Sequence, residues 1–147
     1  MNKHMRLISA LMLGMATLSI PALATAEVTV NIVGATLLAK GAGVLVTVEV
    51  SCTNIPGTTT LVDLEAFVAQ RSGKSINVGC NNLGIEDTAI TCDGTTQTFD
   101  VTIVSGCDGP SGPFKKGLAI VDAFAVICSD SAPCEEGSSP SEEIRLR

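Results

Sequence analysis

From residue 27 onward, apolar side chains recur at every second position, and not with the 3.6-residue period of a helix. Such alternation is typical of half-buried β-strands, whose successive side chains point to opposite faces of a sheet. The alternating segments are rich in Val and Thr, and Gly, Pro or Asp-Gly turn residues separate them. They cover residues 28–32, 44–52, 62–68, 76–80, 90–92, 99–103, 119–127 and 144–146.

This rhythm predicts an all-β domain, an antiparallel β-sandwich of about seven to nine strands. One segment is open to another interpretation, because Leu61, Leu64 and Val68 also fit helical spacing. We favour a strand there, since the same segment alternates and lies among other strands.

The first residues have the character of a secretory leader. Lys3 and Arg6 give a positive start, residues 7–20 form an uncharged apolar run of 14 residues, and Pro21 ends the run. The alternative is an uncleaved membrane anchor. A spanning helix needs about 20 apolar residues, so the short run favours a signal peptide.

Small residues at Ala24 and Ala26 supply a signal-peptidase site, and Ala22–Ala24 is a competing site two residues earlier. We predict cleavage after Ala26, with a signal peptide at 1–26 and a secreted, extracellular domain at 27–147. The mature chain then has 121 of the 147 residues, which is enough for one domain with a real core.

Composition excludes several functions for this mature chain. Its only histidine, His4, lies in the leader, and the sequence has no Trp and no Tyr. Ser-His and Cys-His catalysis and histidine-ligated zinc therefore lack their imidazole. Loss of Lys3 and Arg6 leaves 7 basic against 15 acidic residues. This acidic balance argues against nucleic acid, and against anionic membranes after signal cleavage.

An even number of cysteines behind a signal peptide predicts three structural disulfides. Face parity places Cys52 with the core-facing valines of its strand, and Cys92 shares a face with Ile90. A bridge between them closes a loop of about 41 residues, which stabilises the fold by about 4 kcal/mol in the chain-entropy model.

The other cysteines leave two pairing schemes. Cys128 has the parity of an outward position, and Cys134 follows six residues later, which favours a local bridge. Elimination then pairs Cys80 with Cys107. The competing scheme joins Cys80 to Cys92 across a short loop and Cys52 to Cys107.

The segment from 107 to 117 is the best candidate for an interaction loop. A disulfide anchors it, prolines stiffen it, and an aromatic side chain lies next to two lysines. Rigid loops of this kind bind partners with little entropic cost. Alternatively, it is an ordinary connection whose aromatic ring packs onto the core. The candidate contact residues are Pro110, Pro113, Phe114, Lys115 and Lys116.

Other side chains give weaker hypotheses. Phe67 lies on the polar side of its strand, where it either lines a partner surface or packs under a loop. Asp63, Glu65 and Asp122 are the carboxylates available for acid-base chemistry, although solvated surface acids explain them better. We predict no catalytic residue, no metal and no cofactor.

Four parts of the chain are similar to a known type of domain, namely 44–53, 88–92 with 96–105, 113–117, and Cys128 to Cys134 followed by 143–145. They resemble the small secreted immunoglobulin-like sandwiches of Gram-positive, especially actinobacterial, organisms, and distantly the neocarzinostatin-type chromophore-carrier proteins. The resemblance implies an immunoglobulin-like antiparallel β-sandwich stapled by three disulfides, and a cleft that binds a flat aromatic ligand.

The sequence thus predicts a non-catalytic secreted binding or structural protein that acts through loops or a sheet edge. Its partner is an unknown protein or a small apolar molecule. The alternative, implied by the resemblance, is a carrier of a small apolar ligand in a cleft.

Overall fold

A computed structural model describes residues 25–81, 87–107 and 111–147. These residues form a short 3-10 helix at Ala39–Gly41 and nine strands, all paired antiparallel, which confirms the all-β prediction. The segment open to a helical interpretation is a strand. The strands are β1 Glu27–Leu37, β2 Gly43–Thr53, β3 Thr59–Ser72, β4 Ser75–Cys80, β5 Thr88–Ala89, β6 Gln97–Ser105, β7 Gly117–Ser129, β8 Glu135–Ser138 and β9 Glu142–Leu146.

Most of the predicted leader, residues 1–24, lies outside the described residues, so its cleavage after Ala26 stays a prediction. The first described strand begins at Glu27. Among the described residues, no helix is long and apolar enough to cross a membrane.

The nine strands belong to one hydrogen-bonded sheet in the order β1-β2-β6-β4-β3-β7-β8, with β5 paired to β3 and β9 paired to β7. The link between β4 and β6 is narrow, since only Gly79 and Cys80 have partners there. β1, at one end of the order, contacts β7, β8 and β9 at the other end. The sheet therefore folds over, so that its two halves enclose the core between them.

The core consists of the inward residues of the alternating strands. In β2 all four of its core valines are fully buried, as their spacing predicts. β7 contributes mainly small residues, which let the two halves approach closely. The fully buried side chains include Val44, Val46, Val48, Val50, Leu61, Leu64, Val68, Ile103, Val121 and Ile127.

Two strands differ from the simple alternation. In β3 a register shift between Leu61 and Asp63 accommodates an extra residue, so Leu61 is buried and Val62 is only half-buried. In β4 the buried positions are Asn77 and Gly79, so the apolar positions 76, 78 and 80 face outward. Alternation alone does not reveal which side of a strand faces the core when that side carries an amide and a glycine.

The three disulfides pair Cys52 with Cys92, Cys80 with Cys107 and Cys128 with Cys134, which is the first of the two schemes. The first bridge joins β2 to the segment between β5 and β6 and leaves Cys92 half-buried. The second links the ends of β4 and β6, and the third closes the connection from β7 to β8. Disulfides of this number are typical of an oxidising, non-cytoplasmic compartment.

Candidate functional site

The segment predicted to be an interaction loop does not display its aromatic ring. Phe114 is only 2 % exposed and belongs to the core, so the expectation that it forms a contact surface is wrong. Its backbone N–H donates a hydrogen bond to the carbonyl oxygen of Gly41 at 3.1 Å. A Cβ atom at Gly79 would lie 2.7 Å from Cζ of the ring, so this glycine makes the space that the ring fills. Burial of the ring removes its apolar surface from water and anchors the loop.

Two buried amide side chains hold the same segment in place. Gln70 donates from Nε2 to the carbonyl oxygen of Lys115 at 2.7 Å and accepts from the Lys115 N–H at 2.8 Å. Asn77 donates from Nδ2 to the carbonyl oxygen of Pro113 at 3.1 Å and accepts from the Gly112 N–H at 3.2 Å. Each amide thus donates to one backbone carbonyl oxygen of the loop and accepts from one backbone N–H, as the backbone of a neighbouring strand would.

Neither amide was among the residues predicted from the sequence to form a site. Their sequence signature is a polar residue at an inward position of an alternating strand, such as Gln70 after Leu64, Ala66 and Val68. A buried amide must have hydrogen-bond partners, so such a position indicates a segment that is fastened from inside. The fastened loop leaves Pro113, Lys115 and Lys116 exposed, while Pro110 lies outside the described residues.

The outward side of β3, β4 and β7 carries a group of apolar side chains. Ala69 pairs with Val78 on one side and with Ile120 on the other, and directly paired residues point to the same face of a sheet. Phe67 lies on the same face, one alternation along β3. We call this surface the outer apolar face, and define it by Phe67, Ala69, Ile76, Val78, Leu118 and Ile120.

The outer apolar face is open to solvent. Ile76 is 67 % exposed, Leu118 and Ile120 are each 49 % exposed, and Phe67 is 40 % exposed. Among the described residues only one other large hydrophobic side chain is similarly exposed, Val33 in β1. Phe67 is therefore one of the exposed side chains of this face.

The other half of the sheet has a polar outward side. The outward residues of β1, β2 and β6 alternate with buried valines and isoleucines and are mostly Thr, Asn, Asp and Glu. Thr47 donates from its hydroxyl to Asp100 at 2.8 Å across the β2–β6 pair. Inward and outward residues thus alternate in both halves of the sheet, but one half presents polar side chains to solvent and the other presents apolar side chains.

Charged residues border the outer apolar face. Arg71 and Lys74, at the β3–β4 hairpin, line a groove of about 320 Å³ together with Ala69, Ile76 and Ile120. A neighbouring groove of about 280 Å³ between the hairpin and the fastened loop is lined by Ser72, Ser75, Ile76, Asn77, Gly112, Pro113 and Lys115. The structure thus brings the predicted loop lysine and the predicted apolar patch to one surface.

The candidate carboxylates lie on this same side of the sheet. Asp122 pairs with Phe67, Glu65 pairs with Phe124, and Asp63 lies one alternation further along β3. All three are half-buried. Among the described residues, no group of three or more His, Cys, Asp or Glu side chains is placed to hold a metal ion.

Two acids outside this surface have lowered pKa values. The side-chain hydrogen bond with Ser131, followed by the Thr58 backbone N–H, lowers the pKa of Asp130, and hydrogen bonds with Thr95 lower the pKa of Asp93. Both carboxylates are fully exposed and fix turns, and each bond favours the charged form. They therefore stabilise the turns in which they lie.

No protein-family model and no curated protein matches this chain. Among solved structures, the X-ray structure of the Northeast Structural Genomics Consortium target SoR45 is 10 % identical, with a TM-score of 0.45 over 82 % of this chain and 86 % of that chain. The crystal structure of Spo0M, a sporulation control protein from Bacillus subtilis, is 16 % identical, with a TM-score of 0.39 over 84 % of this chain and 50 % of that chain. These distant β-rich likenesses do not support the expected likeness to neocarzinostatin-type proteins.

Proposed function

We propose that this chain is a secreted, non-catalytic binding protein whose contact surface is the outer apolar face. The observation that carries the proposal is the placement of four of the five exposed large hydrophobic side chains on that face. Such clustering costs solvation free energy in an isolated domain, and contiguous exposed apolar patches mark interaction sites. Secretion rests on the leader character of residues 1–26 and on the three disulfides.

The contrast between the two halves of the sheet supports this function. Exposure of Ile76, Leu118 and Ile120 to water is unfavourable, and the alternation of β1, β2 and β6 gives a polar outward side instead. Full burial of each such side chain is worth about 1.5–3 kcal/mol. A partner that covers this face therefore gains a hydrophobic contribution of several kcal/mol.

Rigidity of the surroundings is a second support. The face is built on paired strands, and Gln70 and Asn77 fasten the flanking loop. A surface that is already ordered loses little conformational entropy on binding. The exposed Lys115 and Lys116 beside it provide polar contacts for the rim of an interface.

The alternative function is a carrier of a small apolar ligand. The groove of about 320 Å³ bordered by Arg71 and Lys74 favours it, because this volume is at the lower end of ligand pockets. Native mass spectrometry of protein purified from culture medium tests it. Additional mass that leaves on denaturation would favour the carrier, and a mass of the bare chain would count against it.

The proposed contact surface is tested with 1-anilinonaphthalene-8-sulfonate, a dye with apolar rings and one negative charge. We expect the folded protein at about 1 µM to bind the dye, and the double variant Ile76→Ser/Ile120→Ser to bind it at least about tenfold more weakly. The matched control is Val33→Ser, which removes an equally exposed apolar side chain from β1. Absence of dye binding to the wild type, or equal loss in the control, would refute the proposal.

A further inference from the structure

The charges on the outward side of β3, β4 and β7 are separated along the strands. Asp63 and Glu65 lie towards one end of β3, and we call this pair the acidic end. Arg71 and Lys74 lie at the β3–β4 hairpin, and we call this pair the basic end. Glu65 and Arg71 are six residues apart, about 20 Å along a strand. The two ends are too distant to neutralise each other within one molecule.

This arrangement is complementary to itself. Two copies of one face can pack together by a two-fold rotation whose axis lies in the plane between them. If the axis runs perpendicular to the strands, each strand of one copy lies over the same strand of the other copy and points in the opposite direction. An axis that crosses the strands between Phe67 and Ala69 brings Glu65 opposite Arg71 of a second copy. The same operation brings Asp63 near Lys74, and each contact occurs twice.

The apolar side chains fit the same operation. Phe67 comes opposite Ala69, so a large side chain meets a small one. On β7, Phe124 comes opposite Leu118, because these residues lie at equal distances on either side of the axis. The first contact joins a large and a small side chain and the second joins two large ones, and both are apolar, as the centre of an interface requires.

We propose that the partner of the outer apolar face is a second copy of this chain, and that the protein forms a two-fold symmetric dimer. The inference rests on the proposed function, since it names the partner of the same surface. An anionic ligand would explain the basic end and leave the acidic end without a role, whereas a second copy accounts for both ends.

The size of the face sets the strength of the dimer. The three strands, at about 4.8 Å spacing and about 25 Å of length, give about 360 Å² per copy, or about 700 Å² in total. This area is below that of standard specific interfaces, so we expect a weak dimer that dissociates on dilution. Assembly stops at two copies, because an interface of this symmetry is closed.

Two carboxylates oppose this packing. Asp122 is half-buried beside Phe67, and the two-fold operation places it opposite Ile120 of the second copy. Glu143 of β9 pairs with Ile120, so the operation also brings Asp122 towards Glu143 of the second copy, and the two like charges repel. A charge covered without a partner weakens the contact. Asp122→Asn is therefore expected to lower the dissociation constant of the dimer by at least about threefold.

Sedimentation velocity from about 1 µM to about 1 mM protein tests the proposal on material secreted from the full chain. We expect a monomer at the low end of this range and a dimer at the high end. One double variant reverses the charges of the basic end, Arg71→Glu/Lys74→Glu, and a second reverses those of the acidic end, Asp63→Lys/Glu65→Lys. Each double variant is expected to raise the dissociation constant at least about 30-fold. An equimolar mixture of the two variants forms a one-to-one heterodimer, because both contacts are restored.

The control Glu27→Lys/Glu49→Lys makes the same change in net charge as reversal of the acidic end, on the β1–β2 side. It keeps the dimer, and circular dichroism establishes that every variant is folded. A wild type that stays monomeric throughout, or two variants that fail to associate when mixed, would overturn the dimer. A monomer that still binds the dye keeps the proposed contact surface, whereas a monomer that does not bind it refutes both proposals.

Discussion

Replacement of Phe114 by alanine tests whether this ring is a core anchor or a contact residue. The side chain is 2 % exposed, and a buried phenylalanine removes about 150–250 Å² from water. At about 25 cal/mol per Å², this burial is worth about 4–6 kcal/mol. We expect Phe114→Ala to lower the free energy of unfolding by about 3–5 kcal/mol, a large part of the stability of a typical domain.

The matched control is Phe67→Ala, which makes the same chemical change at a side chain that is 40 % exposed. We expect it to cost at most about 1.5 kcal/mol. The assay is denaturant unfolding followed by far-UV circular dichroism, since the chain has no Trp or Tyr for intrinsic fluorescence. Equal losses for the two variants, or a loss below about 1 kcal/mol for Phe114→Ala, would refute a core role for this ring.

Three further predictions concern packing, cross-linking and charge. Gly79→Ala should lower the unfolding midpoint, because its Cβ would lie 2.7 Å from the Phe114 ring; unchanged unfolding would contradict the tight packing. Removal of the Cys52–Cys92 bridge, with both cysteines replaced by alanine, should cost about 4 kcal/mol by the same denaturation assay. Hydrogen bonds lower the pKa of Asp130 in the folded protein, so NMR titration should find this pKa below 3.8. The stabilisation that the charged carboxylate gives is fully present above the pKa of the unfolded chain, and it is lost as the pH falls through the pKa of the folded protein.

The prediction of strands succeeded where one side of a strand is uniformly apolar. From Val44 to Thr53, β2 alternates valine or cysteine with leucine, threonine, glutamate or serine, and burial follows that alternation. The same parity placed Cys52 in the core, because it continues the row of buried valines, while the choice between Cys92 and Cys107 as its partner was settled by the structure in favour of Cys92. Local periodicity is enough when only one side of the strand can face the core.

The prediction of the site was less complete, because the loop and the apolar patch were treated as separate features. Phe114 appeared available for contact because it follows a Gly/Pro-rich segment and precedes two lysines. Its burial depends on the space above Gly79 and on the two amides that fasten the loop. Those partners are 35 to 45 residues away in the chain, so no local pattern reveals them.

The sequence by itself determined the β class, the positions of most strands, the disulfide-rich character and the absence of histidine from the predicted mature chain. Only the tertiary structure decided which side of β4 meets solvent. On this strand the inward positions hold an amide and a glycine, Asn77 and Gly79, while Ile76 points outward. Alternation specifies two sides of a strand, but only the packing of one half of the sheet on the other selects the side that is buried.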